Sequence, residues 1–346
     1  MYGKSVLYRK AYIWCNIGNY FNVTYRGSPM IYLDNGVSVY SGREYRCDPK
    51  RCVKDCVNLV SHGHFDHVPT TLSQAIVTSE ITHAIVESRA GVKVQRTSCE
   101  DVDILDSGHV PGASMFLING PKKVLYTGDL SPRQKYFSPG AMPVKADILI
   151  IESTFGKEQY VFPPAHETIK AMRDWAENNT ACGKHSIFYA YTFGKAQEVI
   201  DALQGFEVYT TSPVIKVNDV LKRFGYTLKA ELLPPEPGEP AIIVAPGGGK
   251  RDPVLKKYLI AGARTASVSG WAMDRRLSYM GHTDTAFPLS DHADYAELME
   301  FTRAVSPEIV YTLHGFTKEL ARDIRDKLGI EAVPLKKGHL TLSNFQ

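Results

Sequence analysis

His62-Gly63-His64-Phe65-Asp66-His67 (HGHFDH) follows directly on the apolar stretch Val57 to Val60 (VNLV), a buried-strand candidate. Three imidazoles and a carboxylate within six residues, at the exit of a strand, form a metal-ligand pattern. His62 and His64 project to one side of an extended segment. Asp66 and His67, at the turn into the next element, face a second ion nearby. Imidazole and carboxylate donors suit zinc, manganese or iron rather than a thiolate-type structural site. The bland alternative is a solvated polar loop, but such a loop has no need of Gly63 beside three histidines.

Further donors sit at other strand ends. His109 lies in SGHVPGA, where Gly108 and Gly112 let the backbone bend close to a metal. Asp129 ends KVLYTGD, and a carboxylate with two oxygens is the natural bridge between two cations. His314, in YTLHG, again ends an apolar strand. Separate strand ends that deliver His or Asp toward one place make a site built on a rigid sheet.

The 346 residues allow about two domains at roughly 150 residues each. Ordinary hydrophobic and charged fractions exclude a disordered or fibrous chain. No apolar run reaches the roughly 18 residues of a membrane span, and the first residues carry no signal-peptide pattern, so a soluble cytoplasmic protein is expected. A net charge of +3 neither demands nor excludes a polyanionic partner. Six cysteines are no disulfide scaffold; Cys47, Cys52 and Cys56 cluster, but without the Cys-x-x-Cys spacing of a zinc knuckle. Strand signals fill the first part, ending on the apolar run at Asp147 to Glu152. After Gly156 strands and helices alternate: His166 to Asn178 reads as helix, Ser186 to Tyr191 as strand and Gly194 to Leu203 as helix, suggesting a smaller α/β unit. Helix follows at Ala293 to Val305 and strand at Glu308 to Leu313.

These residues resemble the metallo-β-lactamase fold, an α/β protein built as an αββα sandwich with its metals at one edge of two packed sheets. The likeness covers Asp34 in IYLDNG, the His-x-His-x-Asp-His segment, His109 and Asp129. It implies one divalent ion held by His62, His64 and His109, a second by Asp66, His67 and His314, and Asp129 bridging; zinc is expected, with manganese an alternative. Asp34 corresponds to an acidic residue supporting the metal loop from behind. Glu152 in IIESTFG, His292 in LSDHADY and His314 in YTLHGF further resemble motifs of the β-CASP nucleases, which carry a cap domain inserted in the lactamase domain. The implied division is 1–156 and 273–346 for the lactamase domain and 157–272 for the cap. YTFGKAQEVI, IIVAP and SVSGWAM are similar to the prokaryotic ligase-associated DNA exonucleases, a group related to mRNA 3′-end-processing factors.

The resemblance implies a phosphodiester hydrolase in which two metals activate a hydroxide, with Asp66 among the catalytic residues. His292 is the candidate proton donor to the leaving oxygen, oriented and raised in pKa by Glu152; a helix-capping neighbour is the alternative for His292. Asp294 is a weaker candidate for a supporting position behind the metals. Lys195 and Gln197, opening a helix after a strand, are candidate phosphate contacts, or else Lys195 is a solvated lysine at a helix start. Arg264 and Pro246-Gly-Gly-Gly-Lys250 are further candidates for backbone contact. Tyr189, Tyr191 and Phe193 either stack bases or fill a core. His83, His166, His185, His282 and His339 stand apart from any motif and read as structural or exposed. A DNA exonuclease of repair or end processing is the leading expectation, with nucleic acid (DNA before RNA) and a DNA ligase or helicase as partners. The alternatives are an RNA-processing nuclease and a non-catalytic nucleic-acid-binding subunit.

Overall fold

In the computed structural model, residues 10–14, 20–24, 30–247, 252–274 and 283–336 are described. Strands β1 (Lys10–Trp14) and β2 (Tyr20–Thr24) form an antiparallel pair. Next come β3 (Met30–Asp34), β4 (Gly36–Tyr40), β5 (Glu44–Cys47), β6 (Val57–Leu59), β7 (Ile76–Val77) and β8 (Arg96–Thr97), which make a six-stranded sheet in that order. Helix α1 (Glu80–Ala90) connects β7 to β8. It starts where Ser79 accepts from the Thr82 N–H and stops at left-handed Gly91.

β9 (Val102–Asp106), β10 (Ser114–Ile118), β11 (Val124–Tyr126) and β12 (Ile148–Glu152) begin a second sheet. The chain leaves it for α2 (Ala165–Ala181), β13 (Ser186–Tyr189), α3 (Lys195–Ala202), β14 (Val208–Thr210), α4 (Ser212–Lys222), β15 (Glu231–Leu232), β16 (Ile242–Ala245), α5 (Pro253–Ile260), β17 (Arg264–Val268) and β18 (Thr285–Phe287). These strands form an all-parallel third sheet in the order β15-β14-β16-β13-β17-β18, as strand–helix alternation requires. The chain then returns through α6 (Tyr295–Val305), β19 (Ile309–Leu313), α7 (Thr317–Leu328) and β20 (Glu331–Pro334), and β19 pairs in parallel with β12. β18 lies beyond the implied cap limit of 272. It pairs with β17, so the third sheet runs to Phe287.

β12 shows why this is a sandwich. Its side chains alternate in direction: Ile148 and Ile150 pack with Val39, Leu59 and Val77 of the first sheet, while Leu149 and Ile151 pack with Leu298 of α6 and Leu320 and Ile324 of α7. On the far side, Val86 of α1 covers Val60 and Ile76. The result is the αββα architecture, with the α/β cap inserted between β12 and α6. Ile85 of α1, Val110, Phe193 and Leu221 of α4 form the apolar seam between sandwich and cap. At that seam Gly194 has φ +87°, and a Cβ there would lie 2.2 Å from Val110 Cγ1. Only glycine lets the cap's backbone come this near the His109 loop.

Candidate metal centre and catalytic cleft

His62, Asp129, Glu152 and His314 all lie at or just past the carboxyl ends of strands β6, β11, β12 and β19, on one edge of the sandwich. His62 Nε2 is 3.0 Å from His64 Nδ1, and His109 Nε2 is 3.2 Å from that same nitrogen. Asp129 Oδ2 is 3.5 Å from His62 Nε2, 3.4 Å from His67 Nε2 and 3.7 Å from His109 Nε2, while its Oδ1 is 4.0 Å from His314 Nδ1. Three groups of potential ligand atoms thus share Asp129: one with His62, His64 and His109, one with His67 and His314, and one with Glu152 and His292.

The outer nitrogens of His62, His64, His67 and His109 are all occupied. His64 Nε2 meets the Phe193 carbonyl at 3.0 Å, His67 Nδ1 the Asp48 carboxylate at 2.7 Å, and His109 Nδ1 the Asp291 carbonyl at 3.0 Å. Those oxygens only accept, so the nitrogens facing them carry the proton. His62 Nδ1 meets Ser61 Oγ at 2.9 Å, and that hydroxyl spends its own hydrogen on Asp48, so it too accepts. His62, His64 and His109 therefore each turn a lone pair inward, and His67 does so when its inner Nε2 gives up its proton. Lone pairs at hydrogen-bond distance with no proton between them repel unless a cation lies among them, and oxygen partners on the outer nitrogens are what orient imidazole ligands. The donor set fits divalent metal.

Electrostatics separate three of these rings from His67. Burial holds His62, His64 and His109 below the usual histidine range, so they stay neutral donors. Burial also works against charge on His67, but Asp129 and Asp48 on either side outweigh it and raise that ring. Burial likewise pushes Asp129 up, and the surrounding imidazoles, His67 first, overcome this and keep it ionised. Asp66 sits at the rim: its carboxylate is 80% exposed, 3.7 Å from His67 Nε2, and belongs to none of the groups of converging atoms.

Beside this centre His292 Nδ1 bonds Glu152 Oε2 at 2.9 Å. Glu152 is itself fixed by the Leu130 N–H at 2.5 Å and by the Thr154 hydroxyl. Burial disfavours the imidazolium, yet Glu152 and Asp129 prevail and raise His292 to about 9. The His292 and His109 rings lie 4.5 Å apart. A cleft of about 640 Å³ between sandwich and cap opens onto these groups.

Several expected residues lie elsewhere. Asp34 does not support the metal loop: its carboxylate faces Arg46 at 3.7 Å, and the supporting carboxylate is Asp48. Asp294 caps α6, accepting from the Glu297 and Phe162 N–H groups. Lys195 is 1% exposed and pairs with Glu198 and, at 3.9 Å, Asp291, so it is neither solvated nor open to phosphate. Gln197 is buried, bonding Gly194 N–H, the Thr192 carbonyl and Asn218. Arg264 opens β17, whose other end reaches the cleft at Ser269, and pairs with Asp284 at 2.9 Å. Lys250, His282 and His339 lie outside the described residues. His83 and His185 make structural bonds with the Val94 carbonyl and the Ala241 N–H. Burial raises the thiols of Cys47, Cys52 and Cys56, and among the described residues no cysteine joins a ligand group.

Two residues escaped the sequence reading. Asp48, next to the cysteine cluster in RCDPK, had a signal: a carboxylate just past a strand end on the HGHFDH edge. Lys135 had none. Its ammonium donates to the carbonyls of Gly108 (2.9 Å), His109 (3.0 Å) and Asp291 (3.2 Å), tying the His109 loop to the His292 loop.

Residues 285–334 match the family model for the Zn-dependent metallo-hydrolase RNA specificity domain. A protein of Opitutus terrae named "Probable DNA ligase" is 32% identical over 294 residues, 80% of this chain and 28% of its own length. An "RNase J-like protein" of Methanocaldococcus jannaschii is 24% identical over 367 residues, 82% of this chain and 86% of its own. The chain thus spans little more than a quarter of the ligase-named relative, but most of the second. A crystal structure of a protein of unknown function from Enterococcus faecalis superimposes with a TM-score of 0.59 at 11% identity, covering 90% of this chain and 99% of that one, and so shares the fold. With an αββα sandwich interrupted by this cap, and relatives matched along most of its length, the chain belongs to the β-CASP family of metallo-β-lactamase-fold hydrolases.

Proposed function

We propose that the chain is a metal-dependent nuclease that hydrolyses phosphodiester bonds, acting as a DNA exonuclease in repair or end processing. One observation carries this reading: four imidazoles, each with its outer nitrogen tied to an oxygen, converge on a shared carboxylate, beside His292, which is bonded to Glu152 and raised to about 9. His62, His64 and His109 would hold one divalent ion and His67 and His314 a second, with Asp129 between them and Asp66 reaching in from the rim. Zinc suits this donor set best. Bound ions would lower the pKa of water and neutralise the phosphate's charge.

The protein's own groups do the rest. The cleft walls bring the phosphate to the strand-end edge. His292, protonated at neutral pH, holds a proton toward the leaving oxygen, and Glu152 fixes the ring through Nδ1 so that Nε2 is the donating atom. Lys135 keeps the loops bearing His109 and His292 at a constant separation.

DNA is favoured because the ligase-named relative has the higher identity of the two long matches. RNA is the second reading, supported by the description of the matching family model. Matched 5′- and 3′-labelled DNA and RNA oligonucleotides, incubated with zinc or manganese, test both. Stepwise shortening of DNA is expected. Cleavage of RNA alone would transfer the assignment to the second reading, and cleavage of neither would leave a binding subunit.

A further inference from the structure

Phe65 is 72% exposed and Tyr191 63% exposed, and both line the cleft that holds His64, Asp129 and His292. They come from opposite walls: Phe65 from the HGHFDH turn of the sandwich, Tyr191 from the cap just beyond β13. An apolar ring left in water on a loop of polar ligands is unfavourable unless something covers it. One face of Phe65 already has a neighbour. The Arg89 guanidinium, from the last turn of α1, lies 3.8 Å from the ring centre and is itself hydrogen-bonded to the Gly63 carbonyl. One face of the ring is thus propped by a cation anchored to the metal loop's backbone, which leaves its other face for a partner.

The cleft does not end at Tyr191. Tyr191 and Ser269 also line an adjoining groove of about 290 Å³ along the carboxyl end of the cap's sheet, with Tyr189 and Val268. A polymer whose phosphate lies at the metal centre therefore passes two aromatic rings on its way into an apolar groove. Bases have π-faces that stack on such rings regardless of sequence. Within a duplex both faces are covered by neighbouring pairs and a terminal pair offers only its outer face, so only an unpaired base can present a face to each ring.

Resting on the nuclease reading, we propose that Phe65 and Tyr191 form a stacking site for an unpaired nucleobase next to the scissile phosphate, so that the cleft takes single-stranded ends. Stacking of this kind is worth roughly five- to a hundred-fold in affinity per base. The test is equilibrium binding of fluorescein-labelled single-stranded oligonucleotides, read by anisotropy with Ca2+ as the added divalent ion, followed by cleavage of the same set in zinc or manganese. One abasic residue is walked through the terminal positions. For the unaltered chain, an abasic residue at one position is expected to weaken binding at least five-fold. Phe65→Ala and Tyr191→Ala should each lose a similar factor on intact oligonucleotides, seen in KM rather than kcat, and lose little more on the abasic one; Tyr191→Phe should retain binding. Indifference of the unaltered chain to abasic residues at every position would overturn the proposal. So would alanine variants that keep the full abasic penalty, or an equal affinity for blunt duplex. Because binding and cleavage are read separately, base-dependent binding without cleavage would sink the nuclease reading and keep this site.

Discussion

Asp48→Asn probes the support behind the metal loop most directly. Asp48 Oδ1 accepts from the Ser61 N–H at 2.7 Å, and Oδ2 accepts from Ser61 Oγ at 2.6 Å, His67 Nδ1 at 2.7 Å and the Tyr126 hydroxyl at 2.8 Å. An asparagine fills the same volume but replaces one acceptor by a donor. With its NH2 at the Oδ2 place, three donors lose their acceptor, at about 1–3 kcal/mol each. With its NH2 at the Oδ1 place only the Ser61 N–H does, so this orientation wins and the fold loses about 1–3 kcal/mol. His67 then bonds a neutral carbonyl instead of a carboxylate, which should weaken divalent-metal affinity roughly 10- to 100-fold. Asp48→Ala strands all four donors, and a loss of about 4 kcal/mol or more is a large part of typical domain stability. Thermal melting and zinc titration against a competing chelator give the two numbers. Asp34→Ala, at a half-exposed pair with Arg46, should cost under about 1 kcal/mol and leave metal affinity alone. An Asp48→Asn protein with undiminished zinc affinity would refute this account of His67.

His292 is protonated up to about 9, so kcat should hold through neutrality and fall as pH rises through about 9. The stability this raised value contributes is complete below about 6.5 and disappears over the same alkaline rise. Glu152→Gln removes the carboxylate that raises the ring, so the alkaline fall should move toward 6.5 in a kcat–pH profile; an unmoved limb would show that His292 is not the group observed. Lys195→Met leaves the buried carboxylates of Glu198 and Asp291 without their cation and should cost about 3–5 kcal/mol in a denaturation curve. Its salt dependence of nucleic-acid affinity should not change, whereas a slope lower by about one would mean that Lys195 contacts phosphate after all. Lys135→Met removes three hydrogen bonds between the His109 and His292 loops; zinc affinity should fall and kcat should fall with it, measured by chelator competition and initial rates.

The parts of the fold legible in the sequence are those in which local pattern and tertiary environment ask for the same residues. β12 is an unbroken apolar run because it is covered by helices on one face and a sheet on the other, and β13, α3 and α6 lie within a few residues of where their patterns put them. β14, β15, β7 and β8 are two or three residues long, too short for any periodicity to register. β18 is similar: it has three residues and is recognisable only by its pairing with β17.

The site divides along a different line. Residues whose chemistry is intrinsic, such as imidazoles grouped in HGHFDH, announce themselves by type and spacing. Residues whose role depends on what surrounds them do not. Lys195 after a glycine at a helix start has the composition of a phosphate site, yet burial directs it to Glu198 and Asp291 instead. Gln197 turns back on its own helix start. What this segment does becomes visible only in three dimensions: Gly194 brings the cap's backbone against Val110 beside His109, and Phe193, one residue earlier, offers its carbonyl to His64 Nε2. The cap's main chain therefore fixes which nitrogen of His64 faces the other ligands. Any movement that lifts the cap from the sandwich breaks that 3.0 Å bond and frees the ring to rotate. Cap seating and His64 orientation are thereby coupled through one contact, so a ligand held by both domains would favour the inward-facing ring.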